Sequence, residues 1–133
     1  MRHFTPDEAN AALAEVKPLV ERMVAQREEH VAALARQEEL EGHIRGNGGG
    51  IPPAELAQVA AEVERVEREL AKTIDEIAAH GAEVKDPDEG LIDFPALRHG
   101  ETVLLCWKLG EDEIRYWHRV EDGFAGRQEL PLE

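Results

Sequence analysis

Gly46-Asn47-Gly48-Gly49-Gly50-Ile51-Pro52-Pro53-Ala54-Glu55 cuts a long helical pattern in two. Four glycines and an asparagine do not hold a helix, and the prolines that follow suit the first turn of a new one. The stretch reads as the tip of a helical hairpin with its glycine loop at 46–50. A phosphate loop is the sharper alternative and fails. No strand precedes it, and neither the Lys-Ser/Thr of a P-loop nor the glycine spacing of a dinucleotide site is present.

Working outward, the first helix spans about 6–45 and the second about 53–80. Thr5-Pro6-Asp7-Glu8 starts the first: Thr5 caps, Pro6 fits the first helical position, and Glu8 completes a capping box. Pro18 removes one hydrogen bond, so a kink near residues 14–18 is expected, not a stop. The second helix repeats Leu56, Val59, Val63, Val66, Leu70, Ile74 and Ile77 at spacings of three and four. That is a narrow coiled-coil seam, ended by His80-Gly81. The first helix offers the columns Leu13, Val20, Arg27, Leu34, Glu41 and Val16, Met23, His30, Gln37, Ile44. A second phasing uses Val24, Val31, Leu34 and Leu40. The two helices are expected to run antiparallel.

Residues 81–133 read as a small antiparallel sheet. Glu83-Val84-Lys85 is extended and Asp86-Pro87-Asp88-Glu89-Gly90 is a turn. Leu91 to Phe94 is a strand that Pro95 ends, and Arg98-His99-Gly100-Glu101 is a second turn. Thr102 to Lys108 is the strongest strand. Glu113 to Val120 returns, with Ile114, Tyr116 and His118 on one face and Arg115, Trp117 and Arg119 on the other. The fold class is therefore α+β: a long antiparallel helical hairpin (1–80) followed by a small antiparallel sheet (81–133) packed on its base, as one structural domain.

The net charge of −14 is shared evenly: 9 basic and 16 acidic residues in 1–80, 6 and 13 in 81–133. No basic face is concentrated anywhere, which argues against nucleic acid and against an anionic membrane surface. No apolar run is long enough to span a membrane, and the first residues lack the apolar stretch of a signal peptide. A cytoplasmic location is expected. Serine is absent from the chain, which removes serine-nucleophile chemistry. The single Cys106 excludes an internal disulfide and, in Val103-Leu104-Leu105-Cys106-Trp107, reads as a buried small side chain. A reactive thiolate there needs a nearby cation, for which Lys108, His99 and His118 are the candidates.

Five of the six aromatic residues lie between Phe94 and Phe124, so specific recognition is sought there. Val103, Leu105 and Trp107 are accounted for as strand core. Tyr116 and His118 share a strand face and line a pocket in the binding reading, with Arg127 or Arg98 as the anion contact. The plainer reading is a packed sheet face with Tyr and His at its rim, and Arg127 tying the tail to an acidic residue of the helical hairpin. Asp86, Asp88, Glu89 and Asp93 cluster around one turn. The calcium-loop pattern fails there, since Pro87 takes the second place and Leu97 the twelfth. A divalent transition metal held by His99 or His118 with Asp86, Asp88 or Asp93 stays open. No other cofactor is implied.

Phe4-Thr5-Pro6-Asp7-Glu8-Ala9-Asn10 with Leu13, Val16 and Pro18 resembles the start of the small bacterial family catalogued as domain of unknown function 2203. Val84 to Pro95 resembles its middle motif. Cys106-Trp107-Lys108-Leu109-Gly110-Glu111, Tyr116-Trp117-His118 and Gly123-Phe124-Ala125-Gly126-Arg127 resemble its C-terminal motifs. The resemblance covers nearly the whole chain and implies no activity and no functional residues.

The exposed hairpin, the seam and the lack of an assembled catalytic set point to a non-enzymatic interaction or scaffold module. It is expected to form a homodimer through the hairpins, with a further protein partner open. The alternative is a small-ligand or metal-binding protein, with enzymes among its possibilities, whose site uses Tyr116, His118 and Arg127.

Overall fold

The computed structural model describes residues 2–47, 50 and 52–133. Two helices lead: α1 (Pro6–Asn47) and α2 (Pro53–Ala79). Five strands follow: β1 (Glu83–Asp86), β2 (Leu91–Arg98), β3 (Glu101–Lys108), β4 (Tyr116–Arg119) and β5 (Gln128–Glu129), with one 3₁₀ turn at Phe124–Gly126. They form a single antiparallel sheet in the order β1-β2-β3-β4-β5. The class is α+β. Among the described residues no helix is long and apolar enough to cross a membrane.

The capping box forms. The Thr5 backbone N–H donates to Glu8 Oε1 at 2.9 Å, and the Glu8 N–H donates to Thr5 Oγ1 at 3.1 Å. Helix α1 runs on through Pro18. Two boundaries differ from the sequence reading. Gly46 and Asn47 belong to α1, because a glycine costs a helix only about 1 kcal/mol, too little to end it alone. Helix α2 ends at Ala79 with His80 as its cap. Gly48 and Gly49 of the expected loop lie outside the described residues.

The hairpin seam uses one of the expected columns of α1 and not the other. His30, Gln37 and Ile44 are half-buried along the column that begins at Val16 and Met23, whereas Leu34 and Glu41 are exposed. The companion column is Leu19, Gln26, Ala33 and Leu40, with Ala33 buried. A small side chain at that position lets the two backbones approach, which Leu34 would prevent. Leu13 and Val20 turn instead toward the sheet, where they join the core.

One sheet face closes the core. Ile92, Phe94 and Ala96 of β2, Val103, Leu105 and Trp107 of β3, and Trp117 of β4 pack with Leu13, Val16, Val20, Met23, Leu70 and Ile77 of the helices. Phe4 meets Phe94 edge-on, ring centres 5.0 Å apart. Two strand limits are corrected. Pro95 does not end β2, which continues to Arg98. The Pro95 carbonyl accepts the Phe4 N–H at 2.7 Å, on the side where β1 has already stopped. The proline nitrogen points to that same edge, so its missing N–H costs no ladder bond.

The fourth strand begins only at Tyr116, and Ile114 does not share the face of His118. It is buried in the helix-facing core with Trp117. The alternation breaks because Asn10 takes over the backbone of Ile114: Asn10 Oδ1 accepts its N–H at 2.7 Å and Nδ2 donates to its carbonyl at 3.3 Å.

Candidate metal centre

The sheet face turned away from the helices carries the polar chemistry. A two-residue loop at His99-Gly100, both with positive φ (51° and 80°), sets the β2–β3 register. Asp93 then lies opposite Cys106, which lies opposite Tyr116. The next row is Pro95, Leu104 and His118. His118 therefore reaches Asp93 diagonally, past Cys106.

Asp93, Cys106 and His118 bring a carboxylate oxygen, a sulfur and an imidazole nitrogen within 4.8 Å of one another. Their exposures are 1%, 0% and 3%. His118 Nε2 lies 3.2 Å from Asp93 Oδ1, and Nδ1 lies 2.8 Å from the Arg119 carbonyl oxygen. A carbonyl only accepts, so Nδ1 carries the proton and Nε2 is the nitrogen turned to the cluster. An imidazole anchored by Nδ1–H to a backbone carbonyl, with Nε2 presented inward, is the usual arrangement of a metal-ligating histidine.

Burial disfavours the charged forms of the two acids in the cluster. Burial raises the Asp93 carboxyl above its ordinary value, against the opposing pull of His118 and a hydrogen bond with Cys106. Burial also pushes the Cys106 thiol up to about 12. An inert thiol at neutral pH is a poor nucleophile. The same atom becomes a strong ligand once a cation replaces its proton.

Borderline divalent metals suit a mixed N, O and S set, whereas calcium and magnesium take all-oxygen shells. Zinc bonds of about 2.0–2.3 Å place tetrahedral ligands roughly 3.3–3.8 Å apart. The Asp93–His118 edge, at 3.2 Å, is already near that spacing. Three protein ligands leave one position for a small exogenous ligand.

Arg127 lies over the sulfur. Its Nε donates to Cys106 Sγ at 3.4 Å and its Nη2 to the Cys106 carbonyl at 3.3 Å. Glu111 clamps the guanidinium by two bonds, 2.8 Å to Nη1 and 2.6 Å to Nη2. Burial raises the Glu111 carboxyl, but the bonds from Arg127 and from the Lys108 backbone outweigh it and hold it low. The Tyr116 and Phe124 rings stack on the guanidinium at 4.4 and 4.5 Å. Arg127 thus pairs with a residue of the β3–β4 connection, not with the helical hairpin.

Of the metal candidates read from the sequence, only Asp93 and His118 converge. Asp86 accepts the Asp88 and Glu89 N–H groups within its own turn. Asp88 binds Arg27 at 2.8 Å, and His99 is exposed in the left-handed loop. Of the pocket candidates, Tyr116 and Arg127 adjoin the centre. Arg98 lies on the opposite face, over the Trp117 ring at 4.8 Å, with a buried Nε that has no partner among the described residues. Cys106, read from the sequence as a packing residue or a reactive thiol, is the member of the cluster that the metal reading left out.

A family model described as "Uncharacterized conserved protein (DUF2203)" matches residues 2–130 of the chain. No curated protein and no solved structure matches it.

Proposed function

The chain belongs to this uncharacterized family, and from that premise we propose that it is a metal-binding protein holding one divalent transition-metal ion, of the zinc class, at Asp93, Cys106 and His118. The observation that carries the reading is the convergence of three different donor types within 4.8 Å in a buried place. The Nδ1–Arg119 bond fixes the histidine, and Nε2 is left to serve as a ligand. The ion would displace the thiol proton and the shared proton of the Asp93–His118 pair, so that each buried donor faces a positive charge.

The test is elemental analysis of protein purified without an affinity tag, followed by cobalt(II) titration of the metal-free form. One ion per chain and a thiolate-to-cobalt charge-transfer band are expected, with the band absent in Cys106→Ala. If neither stoichiometric metal nor a band is found, the proposal fails.

A homodimer through the distal hairpin is a second reading. Val31 and Leu34 of α1 favour it, being 48% and 37% exposed in a part of the helix that the sheet does not cover. Light scattering at micromolar concentration tests it. A dimer that Leu34→Glu dissociates supports the reading, and a monomer throughout the range overturns it.

A further inference from the structure

An ion reaches this centre only if a side chain moves aside, since none of Asp93, Cys106 and His118 is more than 3% exposed. The inner face of the sheet is sealed by the helix core. On the outer face the cover over Cys106 is Arg127, and the segment carrying it is the most lightly built part of the sheet. It consists of one 3₁₀ turn and a two-residue strand at the sheet edge. Its shape depends on Gly123 at φ 65° and on Gly126, where a Cβ would collide with the Asp122 side chain. The partner that holds Arg127 is rigid by contrast. Glu111 Oε1 accepts the Lys108 N–H at 2.7 Å, and the Glu111 carbonyl accepts the Trp107 indole N–H at 3.0 Å.

We infer that the Glu111–Arg127 ion pair is a latch over the centre, which on release uncovers the Cys106 sulfur and admits a divalent transition-metal ion. The inference rests on the metal-binding reading above. Closed, the latch places a fixed N–H donor on the sulfur and keeps water and bulky thiols away. Open, it gives up only the Arg127 bonds to the Cys106 sulfur and carbonyl, while the ladder pairs that seat Asp93, Cys106 and His118 in β2, β3 and β4 do not involve Arg127. Arg127 is thus a positioning residue acting through Cys106 and not itself a ligand. The other flank of the centre is bordered by Lys85, whose charge acts on Asp93. That flank supplies the rival route.

The experiment compares wild type with Glu111→Gln, Arg127→Lys and Lys85→Ala, each checked for folding by circular dichroism. Two rates are measured on metal-free and zinc-loaded protein: labelling of the Cys106 thiol by an aromatic disulfide, and zinc transfer to a chromogenic chelator. Glu111→Gln keeps the size of the side chain and removes the ion pair. Losing a charge-assisted pair of bonds should speed both rates by about tenfold to a hundredfold. Lys85→Ala should leave them unchanged, and cobalt bound to each variant should keep its thiolate band. Arg127→Lys repeats the test if Glu111→Gln is poorly folded.

Labelling at the wild-type rate in both latch variants overturns the latch. Acceleration by Lys85→Ala alone overturns it as well, in favour of the β1 flank. Faster labelling in a protein that binds no zinc overturns the metal reading and the admitting role together, leaving Arg127 as a thiol cover.

Discussion

Asn10 holds Ile114 by both of its backbone groups, accepting the N–H at 2.7 Å and donating to the carbonyl at 3.3 Å. A side chain in the second turn of α1 thus takes the place of a strand partner and fixes where β4 begins. It positions Trp117 in the core and, one residue on, His118 in the cluster.

Asn10→Ala leaves both Ile114 groups without partners in a part-buried place. A loss of about 1–3 kcal/mol is expected, read as a lower urea midpoint at unchanged m. A midpoint equal to wild type would show that water replaces the amide at no cost.

Gly81→Ala and Gly110→Ala separate backbone strain from packing. Both glycines have positive φ, 92° and 107°. A Cβ at Gly81 would lie 2.5 Å from Phe4 Cζ, whereas none of the described atoms near Gly110 comes within 4 Å. Each change carries a strain of about 1–2 kcal/mol, and Gly81→Ala adds displacement of a core ring, typically about 1–3 kcal/mol more. Thermal unfolding of the two variants should rank Gly81→Ala as clearly the worse. Equal losses would remove Phe4 from the account.

These residues also show what the sequence carries and what it does not. The β2–β3 register is local: a two-residue loop at His99-Gly100 makes Arg98 face Glu101, and five pairs back Asp93 faces Cys106. The helix-facing strand core follows from the same count. His118 is not local. Its register depends on Asn10 holding a backbone 104 residues away, and a period-two reading through Ile114 has no access to that bond. Pro95 is a similar case, since its place inside a strand depends on β1 ending early and Phe4 taking the free edge. In the hairpin, periodicity alone does not choose between Leu34 and Ala33. The choice depends on how closely the helices approach, which is a property of both sequences together.

The capping box makes the start of α1 acid-sensitive. The bond from the Thr5 backbone N–H, and then that with the Thr5 side chain, hold the Glu8 carboxyl below its usual range. A carboxyl depressed by folding contributes stability that is complete above its unfolded pKa and is lost as pH falls through the folded value. Stability should therefore decline through the acid range with a component that Glu8→Gln removes. Urea midpoints of both proteins at neutral pH and across the acid limb check this. Parallel pH curves would show that the box contributes nothing titratable.

Asp93→Asn separates a metal centre from a buried polar network kept for stability alone. Burial raises the Asp93 carboxyl, so the charged form is costly in the metal-free protein. An asparagine of the same shape keeps an acceptor for the Cys106 thiol and sheds that cost. The metal-free variant should accordingly lie within about 1 kcal/mol of wild type or above it. Zinc should act unequally on the two proteins. At a hundred times its dissociation constant a ligand specific to the folded state adds about 2.7 kcal/mol. Wild type should gain that increment and lose it to a chelator. Asp93→Asn, lacking the anionic oxygen, should gain far less at the same zinc concentration. Paired urea titrations with zinc and with chelator give all four numbers. A large loss in the metal-free variant, with zinc inert toward wild type, would assign Asp93, Cys106 and His118 to structure.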